Sequence, residues 1–516
     1  MSIYTKALSN QPAKSKLIGR EEMIENAASG YTFQVSPTEM FKRFLILGTE
    51  GGTYYASEHK LTLEATQQVV AFIKANGTTA LSLVSDVIMN RRAPKTDASI
   101  FSLALIATYG DAASQMQLYN RLSMLLKTGT HLFQFVDAVN GMRGWGRGLR
   151  RAVSRWYTEK SPEQLAYQLI KYRQRNGWTH KDVIRLSHPK SSSKEISALL
   201  CYAVGKGIDI ENVPSVICAF EDIQKKKNCS LIRSARLDRE MLPTEYLNDK
   251  AVWNALLPHM KDTALVRNLA TMTAKEVMTS AFDESTQVIV EKLAKVKLHP
   301  INTFIALRTY GRGKGIRGSQ TWTPISKVVN ALEKNYLSSL ATTEGSGKRI
   351  LYAQDISGSM QCAVLGSIDM PAVELSAGVM HAFNTMEKAI EFVVFNTSCY
   401  PAKINEGTNI AAIANQLGAM IQGGTDLSSP VQYALDRRLV VDAFVIATDN
   451  EGWAGSHLSQ KLAEYRNKFN KNAKLVLISL TATKNTVRDP LDANSVEIVG
   501  FDNSVPELIV NFVKGI

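Results

Sequence analysis

Asp355, Ser357 and Ser359 occupy alternate positions in LYAQDISGSM, where an apolar run ends abruptly in one acid and two hydroxyls. Two later segments carry the same kind of chemistry: GGTDL, with Thr425, and VIATDNEGW, with Asp449. Together they make a hard oxygen set of low formal charge. Such a set suits Mg²⁺, which keeps waters and accepts an external carboxylate. Gly423 and Gly424 would let the Thr425 loop come close to an ion. The plain alternative is an Asx- or Ser-capped strand-to-helix turn, and the D-x-S-x-S spacing alone does not choose between them. The sequence shows no dense carboxylate cluster of the kind a two-metal nuclease requires.

For these side chains to meet, each must stand at the carboxyl end of a parallel strand, where open α/β sheets bind their ligands. From residue 346 onward the short runs ILYAQ, IEFVVF, DAFVIAT, KLVLISL and SVEIVG alternate with helical segments such as PAVELSAGVMHAFNTM. VPELIVNFVKGI reads as the closing helix. This alternation predicts a doubly wound parallel α/β domain over 346–516. The small, polar ATTEGSGKR at 341–349 marks the boundary. Before it, segments such as SLALIATYG and PEQLAYQLIKYRQRNG place apolar residues three and four apart, and only YTFQV reads as a strand. Helix pairs over residues 1–345 predict an α-solenoid or superhelix with degenerate repeats.

A chain of 516 residues is too long for one core. Its net charge of +13 is unevenly spread. Residues 346–516 hold 14 Lys and Arg against 17 Asp and Glu, or −3, which leaves +16 on residues 1–345. The two parts should therefore face different partners. No apolar run reaches bilayer length and the first residues lack an apolar signal core, which predicts a cytoplasmic protein without a membrane. Five cysteines, an odd number without a C-x-x-C pair, fit a reducing compartment.

Positive charge is densest over residues 141–190, with 12 Lys and Arg against three acids. Ser161, Pro162 and Gln164 predict a capped helix with Leu165, Leu169 and Tyr172 on its apolar stripe. Gln164, Gln168, Lys171 and Arg175 form a polar stripe at the same spacing, which predicts Lys171 and Arg175 one helical turn apart on a solvent face. Gly177 is a stop, and Thr179 with Asp182 starts the next helix, which carries Lys181 and Arg185. An ordinary solvated face is the plain reading, but the local excess favours phosphate contacts and nucleic acid. Arg143, Arg147, Arg150 and Arg151 suit either helix packing or such a face. GRGKGIRG, at 311–318, is not a Walker A loop, and is either a basic turn or a loop that touches RNA.

RGWGRGLRRAVSRWY followed by KYRQRNGWTHKDVIRLSHPK resembles the TROVE module of the Ro RNA-binding autoantigen family. So do FLILGTEGGTYY, LPTEYLND, TALVRNLATMT and HPINTFIALRTYGRGKGIRG, over about residues 25–345. GTEGGTYY and the short form are closer to bacterial members than to animal ones. The remainder is similar to a von Willebrand factor A domain with a metal-ion-dependent adhesion site. The resemblance implies a mainly α protein: residues 1–345 as a ring of HEAT-like helix pairs, closed by a doubly wound A domain at 346–516. It implies Mg²⁺ held by Asp355, Ser357, Ser359 and Thr425 directly or through water, with Asp449 acting through water. By residue match it assigns Lys171, Arg175 and His188 to an outer face for Y-like RNA, with Lys181 and Arg185 beside them. His188 also reads as a plain helix-terminal residue before Pro189.

The same resemblance implies that single-stranded 3′ ends of misfolded or precursor noncoding RNA enter the central hole. It implies a monomer with no catalytic residues, so that a separate exoribonuclease such as polynucleotide phosphorylase supplies any decay chemistry. A Mg²⁺-dependent protein-interaction adaptor is the competing reading, but an adaptor has no need of +16 on its helical part.

Overall fold

The computed structural model describes residues 11–48, 58–315, 319–340, 344–362, 371–404, 408–481, 483–500, 502 and 504–515. Parts of FLILGTEGGTYY, of the 311–318 loop and of the 341–349 boundary lie outside them. The helical part opens with α1 (Pro37–Leu47), the long α2 (Glu58–Met89) and α3 (Asp97–Tyr109). It continues through α4 (Ala112–Leu125), α5 (Gly129–Met142) and α6 (Arg147–Thr158). Helices α7 (Pro162–Lys171) and α8 (His180–Ser187) flank a hairpin of β3 (Gln174–Arg175) and β4 (Trp178–Thr179). Then come α9 (Lys194–Ala203), α10 (Ser215–Lys225), α11 (Cys229–Ser234) and α12 (Lys250–Leu256). The series ends with α13 (Asp262–Ala274), α14 (Glu284–Leu293), α15 (Pro300–Gly311) and α16 (Ser326–Leu340).

Caps fix where many of these helices start. Ser36, Asp111, Thr128 and Ser193 each accept a first-turn backbone N–H. Ser161 with Gln164 and Thr179 with Asp182 form capping boxes. The apolar faces of these helices share one continuous core with the next domain.

That domain has the sheet order β11 (Ser495–Val499), β9 (Lys474–Ser479), β8 (Ala443–Thr448), β5 (Ile350–Asp355), β6 (Ile390–Phe395), β7 (Cys399–Pro401). All pairs are parallel except β6–β7. Alternate residues of β5 serve opposite faces, as the two-residue period of a strand demands. Tyr352 packs 5.4 Å from Phe383 of α17 (Ala372–Met386). Leu351 and Ala353 join Val431 and Leu462 on the other side. Helices α18 (Ile410–Ala419), α19 (Ser429–Asp436), α20 (Leu458–Lys468) and α21 (Val505–Lys514) complete the doubly wound domain.

The helical array returns on itself. His299 Nε2 lies 3.1 Å from Arg92 O, and Asn302 Nδ2 donates at 3.1 Å to Pro94 O, so the loop between α2 and α3 meets the start of α15. The α/β domain holds both ends. At one end Arg43 of α1, fully buried, donates to Thr483 O at 2.7 Å, to Asn485 O at 2.8 Å and to Glu497. At the other, Arg308 of α15 and Arg312, just past its end, share the Glu374 carboxylate of α17 at 3.1 and 2.6 Å. Residues 11–34 also attach to this domain: β2 (Tyr31–Gln34) pairs with β1 (Ile24–Glu25) and with β10 (Asn485–Thr486).

Candidate functional site

Asp355 is the last residue of β5, and Asp449 follows the last residue of the adjacent β8, so the sheet alone brings the two acids together. Both are buried, as are Ser357, Ser359 and Thr425. Asp355 Oδ1 accepts from Ser357 N at 2.8 Å, and its Oδ2 accepts from Thr448 Oγ1 at 2.8 Å. The Ser357 and Ser359 hydroxyls lie 3.0 Å apart, and Ser359 hydrogen-bonds Asp449. Gly358 N donates to Gly423 O at 3.0 Å, which ties the Thr425 loop to the same strand end. The left-handed φ of +75° at Gly423 makes that turn possible.

The Asx turn of the plain reading is therefore present at both acids, since Glu451 N also donates to Asp449 Oδ1 at 3.1 Å. It does not account for everything. Thr425 Oγ1 is buried without a hydrogen-bond partner, a cost of roughly 1–3 kcal/mol if nothing fills the gap. Burial, and then the charge of Asp449, push the Asp355 carboxyl up. Burial also raises Asp449. Burial, followed by the Asp449 charge, pushes Glu451 up to about 8. A cation would relieve this repulsion and take the Thr425 oxygen. Among the described residues no three His, Cys, Asp or Glu side chains cluster, so an ion here depends on hydroxyl oxygens. That donor set fits Mg²⁺ better than a softer metal.

The basic region differs from the sequence expectation. Helix α7 stops at Lys171, with Tyr172 outside helical geometry at φ −111° and ψ 45°. Arg175 then sits in β3, so it is not one helical turn beyond Lys171. Asn176 and Gly177 at φ +52° and +76° close a two-residue hairpin, and this Asn-Gly turn overrides the helical spacing. The polar stripe is not a free face either. Gln168 Oε1 accepts from Gly129 N at 2.8 Å. Lys171 Nζ lies 2.6 Å from Asp238 Oδ2 and 2.8 Å from Tyr167 Oη, with 12% of its side chain exposed. The signal for the hairpin was present as the dipeptide Asn-Gly; the partner of Lys171, 67 residues away, had none.

Arg175, Lys181, Arg185 and His188 are exposed. Lys181 and Arg185 stand four apart on α8, and His188 caps its C-terminus in the left-handed region at φ +47°. Helix α6 packs on α8 and exposes Arg147, Arg150 and Arg151. The other arginines brace helices: Arg143 donates to Ala107 O, and Arg155 donates to Tyr119 O at 2.6 Å. In the 311–318 loop, Arg312 serves the Glu374 contact, and residues 316–318 lie outside the described structure. Among the described residues no helix is long and apolar enough to cross a membrane.

Residues 24–235 and 231–309 match the TROVE domain, and residues 349–513 match the Ro60 vWA domain. The chain is 31% identical over 522 residues to the RNA-binding protein RO60 of Deinococcus radiodurans, covering 98% of each. It is 31% identical over 589 residues to the RNA-binding protein RO60 of Caenorhabditis elegans, covering 96% of this chain and 91% of that protein. Its fold is similar to the crystal structure of the Deinococcus radiodurans RO (RSR) protein, with a TM-score of 0.70 and 30% identity. That likeness covers 93% of this chain and 100% of the other.

Proposed function

Because this chain belongs to the Ro family of RNA-binding proteins, we propose that it binds structured, Y-like small noncoding RNA on the face formed by the β3–β4 hairpin and α8. One observation carries this reading: Arg175, Lys181, Arg185 and His188 are exposed, and Lys181 and Arg185 have no ion-pair partner among the described residues. Cations without a carboxylate beside them are available to phosphates, and they release counterions when they bind. Lys171 supports this face from beneath, through Asp238 and Tyr167, rather than as a free phosphate ligand.

Single-stranded 3′ ends of misfolded or immature noncoding RNA enter the ring of helices, and the protein presents them for quality control, maturation or decay. It acts as a cytoplasmic monomer without a catalytic step of its own, and a separate exoribonuclease such as polynucleotide phosphorylase removes nucleotides. Asp355, Ser357, Ser359, Thr425 and Asp449 would hold Mg²⁺, which would supply a hard cationic attachment point for a carboxylate. Sequencing the RNA that copurifies with the protein tests the reading. Enrichment of small structured noncoding RNA is expected, and recovery of bulk messenger and ribosomal RNA in cellular proportions would overturn it.

A further inference from the structure

First-turn residues of α3, α5, α13 and α15 line one cavity of about 540 Å³, at the place where the two ends of the helical array meet. Arg91, Lys127, Lys261 and Lys297 also line it, against the single carboxylate of Asp262. The N-cap positions of α3 and α13, Thr96 and Lys261, make no side-chain capping bond. The amide groups that open these two helices are thus left without a side-chain acceptor, and such ends attract anions. Asp97 and Asp262 stand in their first turns, where they accept from Gln134 Nε2 and Lys297 N.

A second observation points to a ligand. Ser99 is fully buried, lines the cavity, and its hydroxyl has no partner. Burial pulls the ammoniums of Lys127 and Lys261 below the usual lysine range, and Arg91 adds to this for Lys127. Lys127 Nζ is 3.3 Å from Ile88 O and Lys261 Nζ is 2.6 Å from Tyr167 Oη, so each ammonium keeps further donors.

A smaller pocket of about 230 Å³ between α13 and α15 shares Thr263, Leu298 and Asn302 with this cavity. Its wall is mainly apolar, with Val266, Leu269, Ile305 and Ala306, and Tyr310 at one side. A polar chamber rich in cations joined to an apolar one fits a ligand with an anionic end and a flat apolar end.

We propose that these joined chambers form a nucleotide-binding site, with the phosphate at the helix ends beside Ser99, Lys127, Lys261 and Lys297, and the base between α13 and α15. The nucleotide is either free or the end of a single-stranded RNA, and the second case rests on the RNA-binding reading above.

The test titrates AMP, UMP and inorganic phosphate into the full-length protein by calorimetry. Wild type should bind both nucleotides saturably. Lys127→Gln/Lys297→Gln, both at exposed lysines, should weaken AMP binding about tenfold or more, since two charge-assisted bonds are lost. Ala306→Trp fills the apolar chamber, and should weaken AMP while sparing inorganic phosphate. An oligoribonucleotide with a free 3′ tail is then added to the AMP complex. Displacement of AMP assigns the site to RNA ends, and retention assigns it to free nucleotide. Absence of saturable AMP and UMP binding to the folded wild type, or AMP affinity unchanged in both variants, would overturn the proposal. Structured RNA is titrated in parallel: RNA bound without AMP sinks this inference alone, and AMP bound without RNA sinks the RNA-binding reading alone.

Discussion

Lys171 Nζ lies 2.6 Å from Asp238 Oδ2, and Tyr167 Oη donates to the same carboxylate. Only 12% and 9% of the Lys171 and Asp238 side chains are exposed, so removing the lysine leaves a largely desolvated acid without its cation. Lys171→Ala should therefore destabilise the fold by about 2–3 kcal/mol, below the full cost of a completely buried pair because Lys261 stands near. Chemical denaturation measures this. An unchanged midpoint would mean the pair contributes nothing.

The loop after Asp449 is covered by the N-terminal segment. Asn26 Nδ2 donates to Gly452 O at 2.9 Å, and a Cβ at Gly30 would collide with that same oxygen. Gly30→Ala should lift residues 24–34 from the loop. Hydrogen exchange should then quicken over Tyr31–Gln34 and over residues 449–453, while α13 stays protected. Protection equal to wild type in both stretches would show that the collision is absorbed locally.

Mg²⁺ held by the strand-end donor set should raise the melting temperature of the wild-type protein, because a ligand of the folded state alone stabilises that state. Thr425→Val removes the buried hydroxyl that lacks a partner, and Asp355→Ala removes a carboxylate. Both variants should lose most of the Mg²⁺-dependent shift and keep affinity for structured RNA. A full shift in Asp355→Ala would place the ion elsewhere.

His180 is buried against Tyr157, whose hydroxyl lies 3.0 Å from its Nδ1, and burial pulls its pKa down to about 4. In an unfolded chain imidazole titrates near about 6.5. The folded value is the lower one, so the unfolded state gains protons first as the pH drops. The contribution of His180 is complete above about pH 6.5 and is lost as the pH falls towards about 4. Burial lowers His131 and His299 to about 4 as well, and they add to the slope. Denaturation midpoints at pH 7 and pH 5 should differ clearly, and equal midpoints would contradict the account.

The meeting of the strand ends was legible because parallel strands fix their own geometry. Once ILYAQ and DAFVIAT lie side by side, Asp355 and Asp449 must meet. Caps at Ser161 and Thr179 were legible for a similar reason, being local. Lys171 was misplaced because its environment is set by Asp238 and Lys261, which the chain brings back from α11 onward. Arg175 was misplaced because three apolar positions at helical spacing outweighed an Asn-Gly turn that a two-residue hairpin favours. The meeting of α3 and α5 with α13 and α15 around one cavity leaves no local trace at all.

The central claim is that RNA lies across the hairpin and α8. Filter binding of a structured, Y-like RNA at several salt concentrations tests it, with wild type beside Arg175→Ala/Lys181→Ala/Arg185→Ala. All three residues are exposed, so the melting temperature should hardly move. Loss of three phosphate contacts should make the salt dependence shallower by up to about three units, and weaken binding most at low salt. An unchanged affinity and slope in the folded triple variant would contradict the account and place the RNA on another face.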